Sequence, residues 1–330
     1  MTSRFATALV LLFVLVGCSK QATDESTPIS VEKDWAPLVD GDRAFADLKA
    51  FAEIGGFSHA PEHRENLERA RGMIRDRLQA LGFSARDIRV DSWTQSIPRE
   101  SGGGMRTTTM KNIVATLPGT RPEAIAIACH YDTKILPGFV GANDGCSGIA
   151  LVLEVARQVQ ARARSEGPLP FTMMFVFFDG EEAIVDWGKS FEGVPDNCYG
   201  SRRMAADKLT YPIDTLILLD MVADADLNLT YENSSHPDLN RLFTDIGKDY
   251  FGIDIFGDSK PMQDDHIPFK EAGMPRVIDL IDFDFGPGNR HWHSDQDTVD
   301  KCSPRSLTKV GTLVISALPQ VESWLEAQLR

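Results

Sequence analysis

The chain has 330 residues, of which 42% are hydrophobic, and a formal net charge of −14. That length suits one large α/β domain or two small ones, and the apolar content excludes a chain that is mainly disordered. The acidic balance argues against nucleic-acid binding, which needs a basic footprint, and is compatible with a cationic ligand such as a peptide's free amino terminus.

In chain order, Arg4 precedes a short apolar run from Ala6 to Val16. A membrane span needs roughly 20 residues, so this run reads as a signal-peptide core. It ends in Leu15-Val16-Gly17-Cys18, which resembles a bacterial lipobox. The resemblance implies that residues 1–17 are removed and that Cys18 becomes a lipid anchor. Ser19, in place of an Asp after that cysteine, points to the outer membrane, facing the periplasm. An ordinary signal peptide with an incidental cysteine is the alternative. Residues 18–35 are polar and are expected to form a tether, with the catalytic domain spanning 36–330. Export means an oxidising compartment. Cys129, Cys146, Cys198 and Cys302 then permit three pairings, among which sequence does not choose. A Cys129–Cys146 bridge and free buried thiols stand as equal alternatives.

Pro61 to Leu81 predicts an amphipathic helix, with Leu67, Ala70, Ile74, Leu78 and Leu81 on one face. Pro61 suits its first turn and Gly82 its exit. Ile88 to Trp93 and Asn112 to Leu117 read as strands around a glycine-rich loop at Ser101 to Gly104. Core strands follow at Ala124 to Cys129, Phe171 to Phe178, Leu216 to Leu219 and Val277 to Ile281. Continuous apolar runs of this kind are buried on both faces. Helical segments alternate with them, including Ser147 to Arg164. A last helix starts at Ser303-Pro304 and is expected to kink or break at Pro319. The pattern predicts an α/β domain with a central mixed, largely parallel sheet flanked by helices. Ligands of such folds bind beyond the carboxyl ends of the strands.

Metal-capable residues sit at those ends, strand after strand. His130-Tyr131-Asp132 follows one strand, and Asp144 precedes a helix. Glu181-Glu182 follows the next strand, Asp220 ends another, and His293 lies in the final loop. Zinc accepts imidazole and carboxylate ligands, and this set could hold one or two ions. Taken singly, Asp144 reads as a helix cap, Glu181-Glu182 as solvated surface and His293 as a loop histidine. Asp220 at a buried strand end is harder to explain without a partner.

These residues, in this order, resemble the zinc-dependent aminopeptidases. Ala128 to Asp132, Phe177 to Ala183, Tyr199 to Arg202 and Gln263 to Phe269, with Trp187 and Trp292-His293, resemble one branch more closely. That branch is the animal-type glutaminyl-peptide cyclotransferases. The resemblance implies one Zn2+ held by Asp144, Glu182 and His293, with Glu181 as the catalytic acid/base. It implies that Asp220 and Asp264 are facing carboxylates near the metal. Trp187, Trp292 and Phe285 would be pocket walls, and the backbone of Gln263 would contact substrate. The implied substrate is a peptide with amino-terminal glutamine, converted to a pyroglutamyl peptide and ammonia. Asp265 and His266 are expected to be hydrogen-bond partners of the site rather than ligands. Two departures from the branch are a longer loop at Asp282 to Arg290 and a cysteine closer to Asp144.

Two other functions compete. In a dinuclear aminopeptidase, His130 and Asp220 would complete a second metal site and water would be the nucleophile. A non-catalytic periplasmic binding lipoprotein would be expected to lack Glu181 or a ligand, and neither is missing. Sequence gives no oligomeric state.

Overall fold

The computed structural model describes residues 33 and 35–329. Cys18, the signal peptide and most of the tether lie outside the described residues. Inside the range assigned to the tether, Lys33 donates its backbone N–H to Phe251 O at 2.7 Å. The Trp35 ring meets Phe251 edge-on at 4.9 Å.

Helix α1 (Gly41–Ala52) is capped by Asp40, whose side chain accepts the Arg43 N–H at 2.9 Å. A 3-10 turn at Pro61–His63 leads into α2 (Arg64–Ala80), which buries the face the spacing predicts. Strands β1 (Ile88–Pro98) and β2 (Met105–Leu117) pair antiparallel around the glycine-rich tip. Both outrun the apolar stretches that reveal them, because polar pairs such as Gln95 with Thr108 continue the ladder beyond the core. Next come β3 (Arg121–His130), α3 (Cys146–Glu166) and β4 (Phe171–Phe178). A small hairpin, β5 (Ser190–Phe191) with β6 (Val194–Pro195), precedes α4 (Tyr199–Ala206) and β7 (Ile213–Asp220). The chain continues through β8 (Leu229–Glu232), α5 (Pro237–Phe251), β9 (Phe256–Lys260) and α6 (His266–Glu271). It ends with β10 (Val277–Ile281) and α7 (Pro304–Gln328).

Six strands form the central sheet in the order β1-β2-β4-β3-β7-β10. The β4-β3-β7-β10 half is parallel, and the β1-β2 hairpin joins it antiparallel, so the sheet is mixed as expected. Alternate residues serve opposite faces. On β3, Ile125, Ile127 and Cys129 pack toward α1, α2, α3 and α7, while Ala124, Ala126 and Ala128 pack toward α4 and α6. The alanines let the second layer approach closely. Helix α3 is buried along its amino-terminal half, Cys146 to Ala156, because it lies between the sheet and α1 and α7. Gly148 permits this: a Cβ there would sit 2.7 Å from both Cys129 Cβ and Leu219 O. That approach sets the start of α3 against the strand ends carrying His130 and Asp220.

The expected break at Pro319 does not occur, and α7 is continuous through it. Leu313, Val314, Ala317, Leu318, Val321 and Leu325 are buried along one side, each contributing about 1.5–3 kcal/mol if a large aliphatic. That burial outweighs the one backbone hydrogen bond that proline removes. Cys129, Cys146, Cys198 and Cys302 are all free and buried, so the Cys129–Cys146 bridge is not formed.

Candidate active site

The parallel strands finish level with one another. His130 pairs with Phe178, the last residue of β4, and Asp220 pairs with Ile281, the last residue of β10. The chain passes from β3 to β4 on one side and then to β7 on the other. A crevice opens where strand order reverses in this way, and the expected residues converge there.

Two groups of donors share Asp144. In the first, His293 Nε2 lies 3.0 Å from Glu182 Oε1 and 3.4 Å from Asp144 Oδ2. In the second, His130 Nε2 lies 3.1 Å from Asp220 Oδ1 and 3.4 Å from Asp144 Oδ1. Within each group the candidate ligand atoms all fall within 4.8 Å of one another. Asp144 Oδ2 and Glu182 Oε2 are buried and lack a hydrogen bond of good geometry, though His293 Nε2 and Lys134 Nζ approach them at 3.4 Å and 3.1 Å. One imidazole and two carboxylates converging within 4.8 Å in a buried site are a donor set that suits zinc. The residues therefore fit the metal.

Other carboxylates fix the loops that carry these donors. Asp132 Oδ1 accepts the N–H groups of Gly180 at 2.8 Å and Glu181 at 3.0 Å, and Oδ2 accepts that of Glu182 at 3.3 Å. Asp297 accepts the N–H groups of Asn143 at 2.7 Å and Asp144 at 3.0 Å. Asp196 accepts those of Ile184, Val185 and Asp186, ahead of Trp187. Behind Glu181, buried Asp179 accepts from His59 and Arg71. Lys134 Nζ sits 3.1 Å from Glu182 Oε2 and donates to Ala183 O at 2.9 Å.

The electrostatics follow from this crowding. Burial would raise Asp144, yet the imidazoles of His130 and His293 hold it well below the usual carboxylate range. Burial opposes a charge on His293, but Glu182 and Asp144 push it up to about 9. Glu181 is raised well above a normal glutamate, first by burial and then by Asp264 and Glu182, with His130 opposing. Burial and then Asp220 raise Asp264.

A cavity of about 230 Å³ opens onto these groups. Trp187, Trp292, Gln263 and Asp264 line it, beside Glu181, Asp220 and the first donor group. Phe285 does not. It is fully buried below the wall, edge-on to His291 at 5.1 Å, and Phe283 takes the wall position against Trp292 at 4.9 Å. The turn from Asp282 to Asn289 decides this, because Asn289 Oδ1 accepts the Phe285 N–H and draws it inward. Trp292 stacks on His293 at 4.0 Å. His293 itself and Met221, after Asp220, have left-handed φ of 48°. Non-glycine residues held there cluster at functional sites.

Asp297, Asp196, Lys134 and Phe283 went unassigned in the sequence. Lys134 had a signal, its position four residues after His130. The two aspartates had none, because each caps a loop distant in sequence.

The family model for peptidase family M28 matches residues 112–318, a span that contains both donor groups. The chain belongs to peptidase family M28. It is similar to the glutaminyl-peptide cyclotransferase of Bothrops jararaca, with 30% identity over 245 residues, covering 61% of this chain. It spans 64% of that relative's length. Among solved structures it resembles an Acidobacteriales bacterium glutaminyl cyclase, at TM-score 0.71 and 27% identity over 89% of this chain and 98% of that one. It also resembles the Porphyromonas gingivalis glutaminyl cyclase, at TM-score 0.67 and 26% identity over 86% and 99%.

Proposed function

We propose that this protein is a zinc-dependent glutaminyl-peptide cyclotransferase, which converts amino-terminal glutamine of peptides to pyroglutamate and releases ammonia. The observation that carries this is the indole-walled cavity ending on Glu181 and the Asp144–Glu182–His293 group. At about 230 Å³ it suits one terminal side chain rather than a length of peptide. The cyclase relatives support the same reading.

Asp144, Glu182 and His293 would hold one zinc, which supplies Lewis-acid polarisation of the glutamine γ-carbonyl when bound. Trp187 and Trp292 flank the side chain and exclude water. The substrate's α-amine is tethered to the carbon it attacks, so the walls mainly have to hold a ring-forming conformer. As the new C–N bond forms, Glu181 accepts a proton from that amine. It returns the proton to the amide nitrogen as the old C–N bond breaks and ammonia leaves. A glutamate whose proton affinity is raised by burial suits both halves of that transfer. Cys18 would tether the enzyme to the outer membrane, and loss of lipid labelling in Cys18→Ser tests this.

A dinuclear aminopeptidase is the second reading, favoured by the His130–Asp144–Asp220 group. Incubation with a Gln-initiated peptide and, separately, with an aminoacyl amide separates the two. Ammonia and a pyroglutamyl product are expected from the first, and little release from the second. Free amino acids as the product refute the cyclase. Glu181→Gln is expected to lower kcat about 10²–10⁴-fold with zinc still bound.

A further inference from the structure

Behind the cavity wall lies a second acidic cluster that the reaction above does not use. Asp279 is the one charged residue in the otherwise apolar strand β10 and is essentially inaccessible to solvent. Candidate ligand atoms of Asp279, Asp264 and His266 all fall within 4.8 Å of one another. Asp264 Oδ2 and both carboxylate oxygens of Asp279 are buried without a hydrogen-bond partner. His266 lies between two acids, its Nε2 at 3.3 Å from Glu232 Oε2 and its Nδ1 at 3.5 Å from Asp279 Oδ2. Glu232 is a fully supported anion, since it accepts the N–H groups of Ser234, Ser235 and Met262. Asp264 and Asp279 thus face each other with these oxygens unpaired by any hydrogen bond, and Asp220 and Asp265 add further negative potential.

Two adjacent carboxylates cannot both ionise in such a site, and a proton between them satisfies both. We propose that Asp264 and Asp279 form a buried acid–carboxylate pair sharing one proton, and that Asp279 is a positioning residue acting on the reaction through Asp264. The pair lets Asp264 line the cavity beside Glu181 and Asp220 without adding a full negative charge to a wall that already holds four other carboxylates. Burial raises both pKa values, with Asp220 next for Asp264 and Asp264 next for Asp279, in keeping with a retained proton. The pair stands on geometry alone, whereas its effect on turnover rests on the cyclase reading.

The test uses the folded enzyme and two variants, Asp279→Asn and Asp279→Leu. In Asp279→Asn the new amide donates permanently to Asp264, which is held in place but fully charged, so kcat at neutral pH is expected to stay closer to wild type than in Asp279→Leu. The alkaline decline of kcat that follows loss of the shared proton should disappear. Leucine leaves Asp264 without a partner, and kcat is expected to fall about tenfold or more with metal content unchanged. Infrared difference spectra, which need no turnover, should show a carboxylic-acid C=O band at pH 7 in the wild type that Asp279→Asn removes. Absence of that band refutes the pair, whatever the enzyme's reaction. Equal kcat and pH profiles in all three proteins refute the positioning role. Loss of a bound metal equivalent on Asp279→Asn, with the Asp144 group intact, also refutes the pair, because a cation would then fill the cluster.

Discussion

Replacing Asp132 by asparagine removes one acceptor and one charge while keeping the shape. In the wild type three backbone N–H groups, those of Gly180, Glu181 and Glu182, converge on its two oxygens. Asparagine can turn its single oxygen toward Gly180 and Glu181, which leaves its NH2 facing the N–H of Glu182. A buried donor stripped of its acceptor costs about 1–3 kcal/mol, and the two surviving bonds lose their charge assistance, about 1 kcal/mol between them. Part of this is offset, because Asp132 is itself pushed up to about 6 by burial and by Asp179. A net loss of about 2–3 kcal/mol is expected, and at ~2.1 cal/mol/K per residue over ~300 residues this lowers Tm by about 3–5 °C. The larger effect falls on chemistry. Glu181 and Glu182 take their positions from this turn, and a shift of about 1 Å costs up to about 10²-fold in kcat. Ammonia release from a Gln-initiated peptide, bound zinc and calorimetric Tm should be measured on one preparation. If Asp132→Asn keeps wild-type kcat, zinc content and Tm, Asp132 does not hold the glutamate turn.

Asp297→Ala frees the Asn143 and Asp144 N–H groups and should weaken zinc binding by about 10–100-fold, read by competition with a chelator. Trp187→Ala should raise KM about tenfold or more with zinc affinity intact, since one indole wall is worth about 1.5–3 kcal/mol. Trp292→Ala should raise KM and also weaken zinc binding, because only Trp292 stacks on His293. Zinc retention should fall with acid: His293 is pushed up to about 9 in the metal-free site, and zinc needs its neutral form. Below that value each pH unit lost should cost about tenfold in apparent affinity, and a flat profile between pH 6 and 8 refutes it.

The parts of this molecule legible in sequence are those set by local periodicity. The runs at β3, β4, β7 and β10 mark strands buried on both faces, and their ends locate the site. What sequence missed depends on contacts between distant segments. Asp297 reads as an ordinary polar residue and Asp132 as part of a metal-capable motif, until the fold brings residues 143–144 and 180–182 onto them. The exchange of Phe285 for Phe283 has another cause: both flank a turn whose direction is set by the Asn289 side chain, and aromatic spacing cannot report which ring faces outward. Asp279 interrupts the run read as apolar at Val277 to Ile281, and its meaning depends on Asp264 and His266 beside it.

The number of metal ions turns on His130. Its Nδ1 lies 3.0 Å from the backbone carbonyl of Asp132, which can only accept, so Nδ1 carries a proton. Its Nε2 then faces carboxylate oxygens of Asp220 at 3.1 Å and Asp144 at 3.4 Å. Two acceptors there favour a second proton, and the charge of Glu181 adds to them against the cost of burial. The resulting imidazolium supplies positive charge where a second metal would stand, with Asp144 shared between it and the first donor group. A second ion has to displace that proton from a ring held by two acids. At Asp144, Glu182 and His293 the competing proton sits on a part-exposed histidine whose proton affinity is raised to about 9. On the cyclase reading proposed above, one zinc suffices and the substrate's own amine, rather than a metal-bridging water, is the nucleophile.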